Sequence, residues 1–506
     1  MKNMTRTFGV LPKVLLIAIA FCFQLHQNAQ PMPLVHATSL AHSSGRLYVG
    51  TNAGDIQIYD SRTREPLTVL TSERKGIVGS VAVSKEGVAW LVGTRPAGIR
   101  DPLGSTEDPA SQTLVVRTPD DRTSIVDLKP AGVSEAVTDL AWIGSRIALI
   151  RDFGVSFFDA RSHAVVLSET VLPMSIAAEA ARSHIWVHGD ALMTSHPVAM
   201  RRSPRSLGLP YVSLFTVYRN QKDRWTRIGG FASNALDVEP FEGLNVGADG
   251  KIPPSARFTL VSQTADLDGE GIVAIEGGSL LAAPIFKPDW ETGRKPLPDP
   301  FAATGRPDSL WLQVAGPNMW WWTGNVLLSQ NRTTGEARAY LPWNDPQMLV
   351  NDILADSDGV WLATNVGVRR LELTMPERPL GFGGFVAVPL GIATEKPPTK
   401  DLEKLVKELF KWRFATPDLA GKDGAKMVGE VYRNLEVALP NSTTGILASP
   451  LGKAVVDELR IGDVIASPKG LAVYIGNGKT VEMRDGIVKN GDVWSRPFAT
   501  VRRFLK

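Results

Sequence analysis

Between about residues 38 and 375 the apolar positions fall into short runs bracketed by glycines, and the runs repeat. Gly45-Arg46-Leu47-Tyr48-Val49-Gly50-Thr51-Asn52-Ala53-Gly54 has close counterparts in Gly87-Val88-Ala89-Trp90-Leu91-Val92-Gly93-Thr94 and in Gly359-Val360-Trp361-Leu362-Ala363-Thr364-Asn365-Val366-Gly367. Each reads as a turn glycine, a β-rich strand, a threonine and a second turn, and a further strand such as Asp55 to Asp60 or Val368 to Leu371 comes next. Weaker echoes stand at Ser145 to Phe158, His184 to Met193, Gly271 to Leu281 and Met319 to Leu328.

Apart from the wider gap between His184 and Gly271, the starts of these units lie about 40 to 58 residues apart, close to the roughly 40–50 of a propeller blade. One such unit is a small sheet whose apolar face only a neighbouring unit can cover. The pattern predicts an all-β propeller of about seven blades over residues 38–375. Six or eight blades stay open, because residues 195 to 258 do not parse into the theme. The blade style resembles sensor-type and quinoprotein-like propellers, an architectural likeness that implies no activity.

The pattern then changes. Residues 376–400 carry Pro376, Pro379, several glycines and Pro397-Pro398, and read as a linker. Asp401 caps a helix over Leu402 to Phe414, with Leu402, Leu405, Leu409 and Phe410 at helical spacing. A second, α+β domain is predicted over residues 401–506. Met427, Val428, Val431, Tyr432 and Leu435 form a helical stripe that Leu439-Pro440 ends. A strand comes next at Leu459-Arg460-Ile461-Gly462-Asp463-Val464-Ile465. Leu471 to Glu482 is then two strands joined at Asn477-Gly478, a strong hairpin signal.

This order of helix, Gly-Asp strand and Asn-Gly hairpin resembles the NlpC/p-sixty family of cell-wall peptidases, whose fold is papain-like. The resemblance covers most of residues 415 to 506, including a closing strand from Phe498 to Leu505. It implies a cysteine nucleophile opening the helix, a histidine opening the hairpin and a third polar residue on the next strand. In that register the three positions are Gly424 (after Asp423), Gly470 and Glu482, and alanine, Ala425, stands where the family has serine. No histidine occurs after His196. Glycine supplies neither a nucleophile nor a base, and losing the nucleophile alone typically costs on the order of a million-fold in turnover. Ser442, Thr443, Thr444 and Ser467, with Lys426 or Lys469, are the residues left for an unconventional Ser–Lys mechanism, although loop serines and threonines mostly satisfy local backbone groups.

Composition narrows the setting. Lys2, Arg6 and Lys13 precede an apolar run from Val14 to Phe23, too short for a membrane span of roughly 20 residues, so residues 1–37 read as a signal peptide and leader. If the signal stays uncleaved, it is the only expected membrane attachment. The single cysteine, Cys22, lies inside that run and leaves with it, which excludes disulfides and thiolate sites from the mature chain. A net charge of +3 over 506 residues makes no case for nucleic acid. The expected location is secreted or periplasmic, at a bacterial envelope.

Other candidate chemistry is sparse. Asp266-Leu267-Asp268-Gly269-Glu270-Gly271 spaces its acids as calcium loops do, but Ala274 and Gly277 stand where later ligands belong, so Asp266, Asp268 and Glu270 are a weak metal candidate beside a plain hairpin turn. Trp320-Trp321-Trp322 suits either a glycan platform or packing between blades. His163, His184, His188 and His196 show no ligand spacing in a strand context. No cofactor is expected. The expectation is a non-catalytic binding or scaffold protein whose partner is a peptidoglycan stem peptide or an envelope protein. A peptidoglycan hydrolase with unconventional residues and a propeller-based ligand sensor are the alternatives.

Overall fold

The computed structural model describes residues 36–93, 112–133, 136–151, 154–170, 184–189, 191–199, 211–221, 224–232, 262–268, 271–276, 279–283, 295–297, 311–322, 327–342, 350–357, 359–372, 385–390, 400–414, 424–455, 458–467, 470–484, 487–493 and 500–505. The expected signal segment and Cys22 lie outside the described residues, among which no helix is long and apolar enough to cross a membrane.

Among the described residues seven small antiparallel sheets succeed one another in a propeller-like array, spanning 37–70, 77–127, 137–170, 184–232, 262–296, 311–342 and 350–372. The first five have four strands each. The sixth gains a fifth strand, and the seventh has three. The first strands of the sheets are Ala37–Ser43, Ile77–Ser84, Val137–Ile143, His184–His188, Ser262–Asp268, Trp311–Ala315 and Val350–Asp356. Each touches the next, and the last touches the first, so they form a closed inner ring. Residues 195 to 258, where the repeated theme is absent, contain two of the longest strands, Ala191–Ala199 in part and Tyr211–Gln221, and most of the fourth sheet.

Burial explains the text of the repeats. The second strand of a sheet has a strand on either edge and a sheet over each face. Gly359–Thr364 and Asn318–Trp322 are accordingly buried at every position and read as continuous apolar runs. The outermost strand of the first sheet, Pro66–Leu70, is exposed at all but its last residue. Trp320, Trp321 and Trp322 are 0%, 0% and 3% exposed, so none offers a face to a sugar. Trp320 and Trp322 pack toward the seventh sheet and Trp321 takes the other face.

The outer hairpins of sheets one, three and six share a turn that the glycine theme does not reveal. Asp60, Asp159 and Asn331 each accept two backbone N–H groups, from Arg62 and Thr63, Arg161 and Ser162, and Thr333 and Thr334, at 2.7–2.9 Å. The turn closes on a left-handed residue, Arg64, His163 or Gly335, with φ of 65°, 54° and 74°. His163 therefore has a conformational role and stacks on Phe158.

The connection to the C-terminal part contributes a strand of its own. Within residues 376–400, expected as a linker, Phe385–Leu390 pairs antiparallel with Ala337–Pro342 and extends the sixth sheet. The C-terminal part is β-rich, with three helices among its described residues: α1 (Lys400–Phe414), α2 (Gly424–Arg433) and α3 (Thr443–Ala448). Its six strands are antiparallel throughout and lie in the order Lys453–Ala454, Thr500–Arg503, Val464–Ser467, Gly470–Gly476, Lys479–Arg484, Ile487–Asp492.

Among the described residues the first and last sheets share no strand, and side chains tie them together. Asp352 Oδ2 accepts the Leu40 N–H at 2.7 Å and Asn351 Nδ2 donates to the Ala37 carbonyl at 2.7 Å. Beside them Ala37, Leu40, Leu47, Val49 and Tyr59 pack on Trp361 and Ala363. Replacing Asp352 by Ala leaves the Leu40 and Ile353 N–H groups without this acceptor. The expected cost is about 1–3 kcal/mol per buried group left unpaired, read as a lower thermal midpoint, with Asp352→Asn recovering part of it.

The shared turns make a separate prediction about acid. The N–H of Thr63, then that of Arg62, holds Asp60 below the ordinary carboxylate range, and the N–H groups of Ser162 and Arg161 do the same for Asp159. A carboxylate with a lowered folded pKa adds stability above its unfolded value of roughly 3.9 and loses it as pH falls through the folded value. Changing both to Asn, the residue that sheet six already uses, is expected to flatten the acid limb of a pH series of melting temperatures.

Candidate functional site

The C-terminal part is built around α2. Ala425, Met427, Val428, Val431 and Tyr432 are buried and meet Leu402, Leu405 and Leu409 of α1. They also meet one face of the sheet, through Val464, Ala466, Leu471, Val473, Val481 and Met483. The helix begins at Gly424, beside the start of strand Gly470–Gly476. A side chain on Gly424 would place its Cβ 3.2 Å from the Leu471 carbonyl oxygen and 3.5 Å from the Leu471 nitrogen. Gly470 opens that strand with φ 96°, a left-handed backbone, and has open space where a side chain would stand. The structure thus brings two of the three resemblance positions together, at the junction of helix and strand.

Glu482 stands apart. It pairs across the hairpin with Ala472, while Val473 and Val481 on either side point into the helix-covered core. Alternation puts Glu482 on the opposite face of the sheet from α2, where it is buried. That face belongs to another apolar cluster. Val455, Leu459, Ile465, Tyr474, Val493 and Val501 pack in one body with Met319, Trp321, Leu328, Ala337 and Ala339 of the sixth sheet.

A buried ion pair locks the frame. Asp463, fully buried, accepts from Nε and Nη2 of Arg503, both at 2.8 Å, and from the Arg460 N–H at 2.8 Å. Arg503 also reaches the Glu458 carbonyl at 2.6 Å. The neighbouring Gly462 accepts from the Tyr432 hydroxyl, and burial, then the Asp463 charge, pushes that phenol far above its ordinary range. Asn477 and Gly478, with φ of 51° and 74°, form the tight turn expected from their sequence.

The substitute nucleophiles have local work. Ser442 is the N-cap of α3 and its Oγ accepts the Gly445 N–H at 3.1 Å, while Ser467 Oγ donates to the Gly470 carbonyl at 3.4 Å. Thr443 and Thr444 are exposed, as is Lys426, and Lys469 lies outside the described residues.

In the sheet array Asp266 lies in one of two antiparallel strands that flank residues 269–270, and its carboxylate is engaged within the protein. Asp266 is a strand residue paired with Val273, 5% exposed, and its carboxylate takes the N–H groups of Leu267 and Val314 at 2.8 and 2.6 Å. Asp268 ends the same strand, and Glu270 lies outside the described residues. No group of three or more His, Cys, Asp or Glu residues is placed to hold a metal among the described residues.

Asp266 belongs to a set that the sequence reading missed. Asp139, Asp266, Gln313 and Asp352 sit on inner strands, and each accepts a backbone N–H from the next inner strand round the ring. The donors are Ile185 at 3.3 Å, Val314 at 2.6 Å, Ala355 at 2.7 Å and Leu40 at 2.7 Å. In the second sheet the hydroxyl of Ser80 donates to Asp139 at 2.6 Å. The available signal was a polar residue just before an aliphatic one once per sheet: Ser39-Leu40, Ser80-Val81, Asp139-Leu140, His184-Ile185, Asp266-Leu267, Gln313-Val314 and Asp352-Ile353.

No family model and no curated protein matches the chain. Among solved structures, the computationally designed Ika8 protein is similar over 67% of this chain and 97% of its own, at 9% identity and a TM-score of 0.38. PorZ, an essential bacterial surface component of the type-IX secretion system of Porphyromonas gingivalis, is similar over 90% of this chain and 52% of its own, at 12% identity and a TM-score of 0.38. Likenesses of this size bear on neither function nor partner.

Asp463→Ala would leave the Arg503 guanidinium in a half-buried site without its carboxylate, a loss of about 3–5 kcal/mol for a broken buried pair. The expected outcome is early proteolysis of the C-terminal part with the sheet array intact, read by mass spectrometry of the fragments.

Proposed function

We propose that the chain is an exported, non-catalytic binding protein of a bacterial envelope, a seven-bladed propeller joined to a degenerate NlpC/p-sixty-like domain. The observation that carries this reading is the meeting of Gly424 and Gly470 where α2 abuts its strand. A cysteine peptidase needs a thiolate and an imidazole there. Two glycines supply neither, and no histidine occurs after His196 to supply the imidazole from elsewhere in the domain.

What remains at that junction is a helix N-terminus against the Leu471 backbone with open space at Gly470, and we read it as a place for an extended peptide. The preferred ligand is a peptidoglycan stem peptide, with an envelope protein as the other candidate. The mild basic excess from residue 381 onward favours anionic wall material.

The test is a pull-down of the exported chain with purified sacculi, with the supernatant analysed for released fragments. Retention on sacculi without fragments is expected, and Gly424→Leu, which crowds the Leu471 backbone, should weaken retention. Released fragments would replace this reading with a hydrolase using other residues. Absence of binding would remove the wall ligand and leave a protein partner.

A further inference from the structure

Helix α1 turns one face to the core and the opposite face to solvent. Leu402, Leu405 and Leu409 are buried, while Lys400, Lys404, Lys407 and Lys411 are exposed. Helical geometry puts the four lysines within an arc of about 60° opposite the three leucines, in a row about 16 Å long. The acids stand on the shoulders of this crest, Glu403 on one side and Asp401 and Glu408 on the other. Glu408 is drawn sideways, with the side chains of Lys411 and Asn434 both donating to it. Phe410 lies on the Glu403 shoulder and is 37% exposed.

The leucines fix the roll of the helix, because turning another face outward would uncover them. The lysine crest is therefore what an approaching flat surface meets first. A plane laid on it touches four ammonium groups before it comes near the acids on the shoulders. A flexible polyanion would follow the helix round to those acids and be repelled there. The exposed Phe410 ring adds an apolar contact that suits a lipid interface better than a soluble polyanion. We propose that α1 rests its lysine crest on a membrane surface rich in anionic lipid, a peripheral contact separate from any made by the signal segment. It does not depend on the ligand of Gly424 and Gly470.

The test sediments the exported chain, freed of residues 1–37, with vesicles of phosphatidylcholine alone or of phosphatidylcholine mixed with phosphatidylglycerol. Binding is expected with the mixed vesicles only, and it should vanish at high salt, where the screening length falls to about 3 Å. A lysine near an anionic surface contributes about fivefold, so Lys404→Gln with Lys407→Gln should weaken binding about 25-fold. Glutamine is a good helix former at exposed positions, so the melting temperature should not change. Lys75→Gln with Lys129→Gln alters two exposed lysines of the sheet array, makes the same change in net charge, and should leave vesicle binding unchanged. The proposal is overturned if the mixed vesicles bind no better than the neutral ones, or if binding survives high salt. It is overturned too if the crest pair binds as the parent does, or if the array pair loses as much as the crest pair. Soluble polyphosphate binding as tightly as the vesicles through the same lysines would also overturn it, making the occupant a polyanion.

Discussion

The ring depends on how its inner strands satisfy their backbone. An inner strand has a hydrogen-bonded neighbour on one edge only, and its other edge faces the axis with unpaired amides. Buried amides left unpaired cost as much as a lost hydrogen bond each, so a closed ring of seven such edges needs acceptors. Asp139, Asp266, Gln313 and Asp352 provide them across sheet boundaries. One extra residue in the inner strand, at Thr38, Gly79, Thr138 and Asn351, shifts the register immediately before the polar position. Where the first and last sheets meet, the same device ties them, because Asp352 and Asn351 of the last sheet reach Leu40 and Ala37 of the first.

The same division of labour decides which strands are legible in the sequence. The glycine-flanked theme fell on the second and third strands of most sheets, as at Arg46–Thr51 with Ile56–Asp60 and at Asn318–Trp322 with Leu327–Asn331. Those strands are covered on both faces, so their apolar runs stand out. Inner strands mix aliphatic residues with the polar ties and have no run to notice. Asp266 shows the limit of reading locally: alternating acids beside a glycine marked a hairpin turn, with a metal loop as the weaker reading, while its partner lies 48 residues away in the next sheet. Strand Phe385–Leu390 was hidden for a related reason. It is short, flanked by prolines and glycines, and acquires its partner only when the sixth sheet exists.

In the C-terminal part the elements were legible because each has a local signature: a helical stripe, a Gly-Asp strand, an Asn-Gly turn. The relation between them was not. Gly424 and Gly470 are far apart in the chain and meet only through the packing of α2 on Leu471. The pair Asp463–Arg503 joins a turn to the closing strand across 40 positions. Which face Glu482 takes is set by its pairing with Ala472, a register that the Asn477-Gly478 turn and the irregularity between Tyr474 and Gly476 decide together.

That register constrains any role of the domain. The sheet face carrying Glu482, Tyr474 and Ile465 belongs to the cluster shared with Trp321 and Leu328, so one side of the sheet is covered by the array itself. The junction of α2 and its strand lies on the helix-covered side of the sheet, away from that cluster. The covering apolar cluster and the added strand Phe385–Leu390 both attach to the sixth sheet. A peptide held at Gly424 and Gly470, as proposed, would therefore be held by a part of the chain anchored on the sixth sheet.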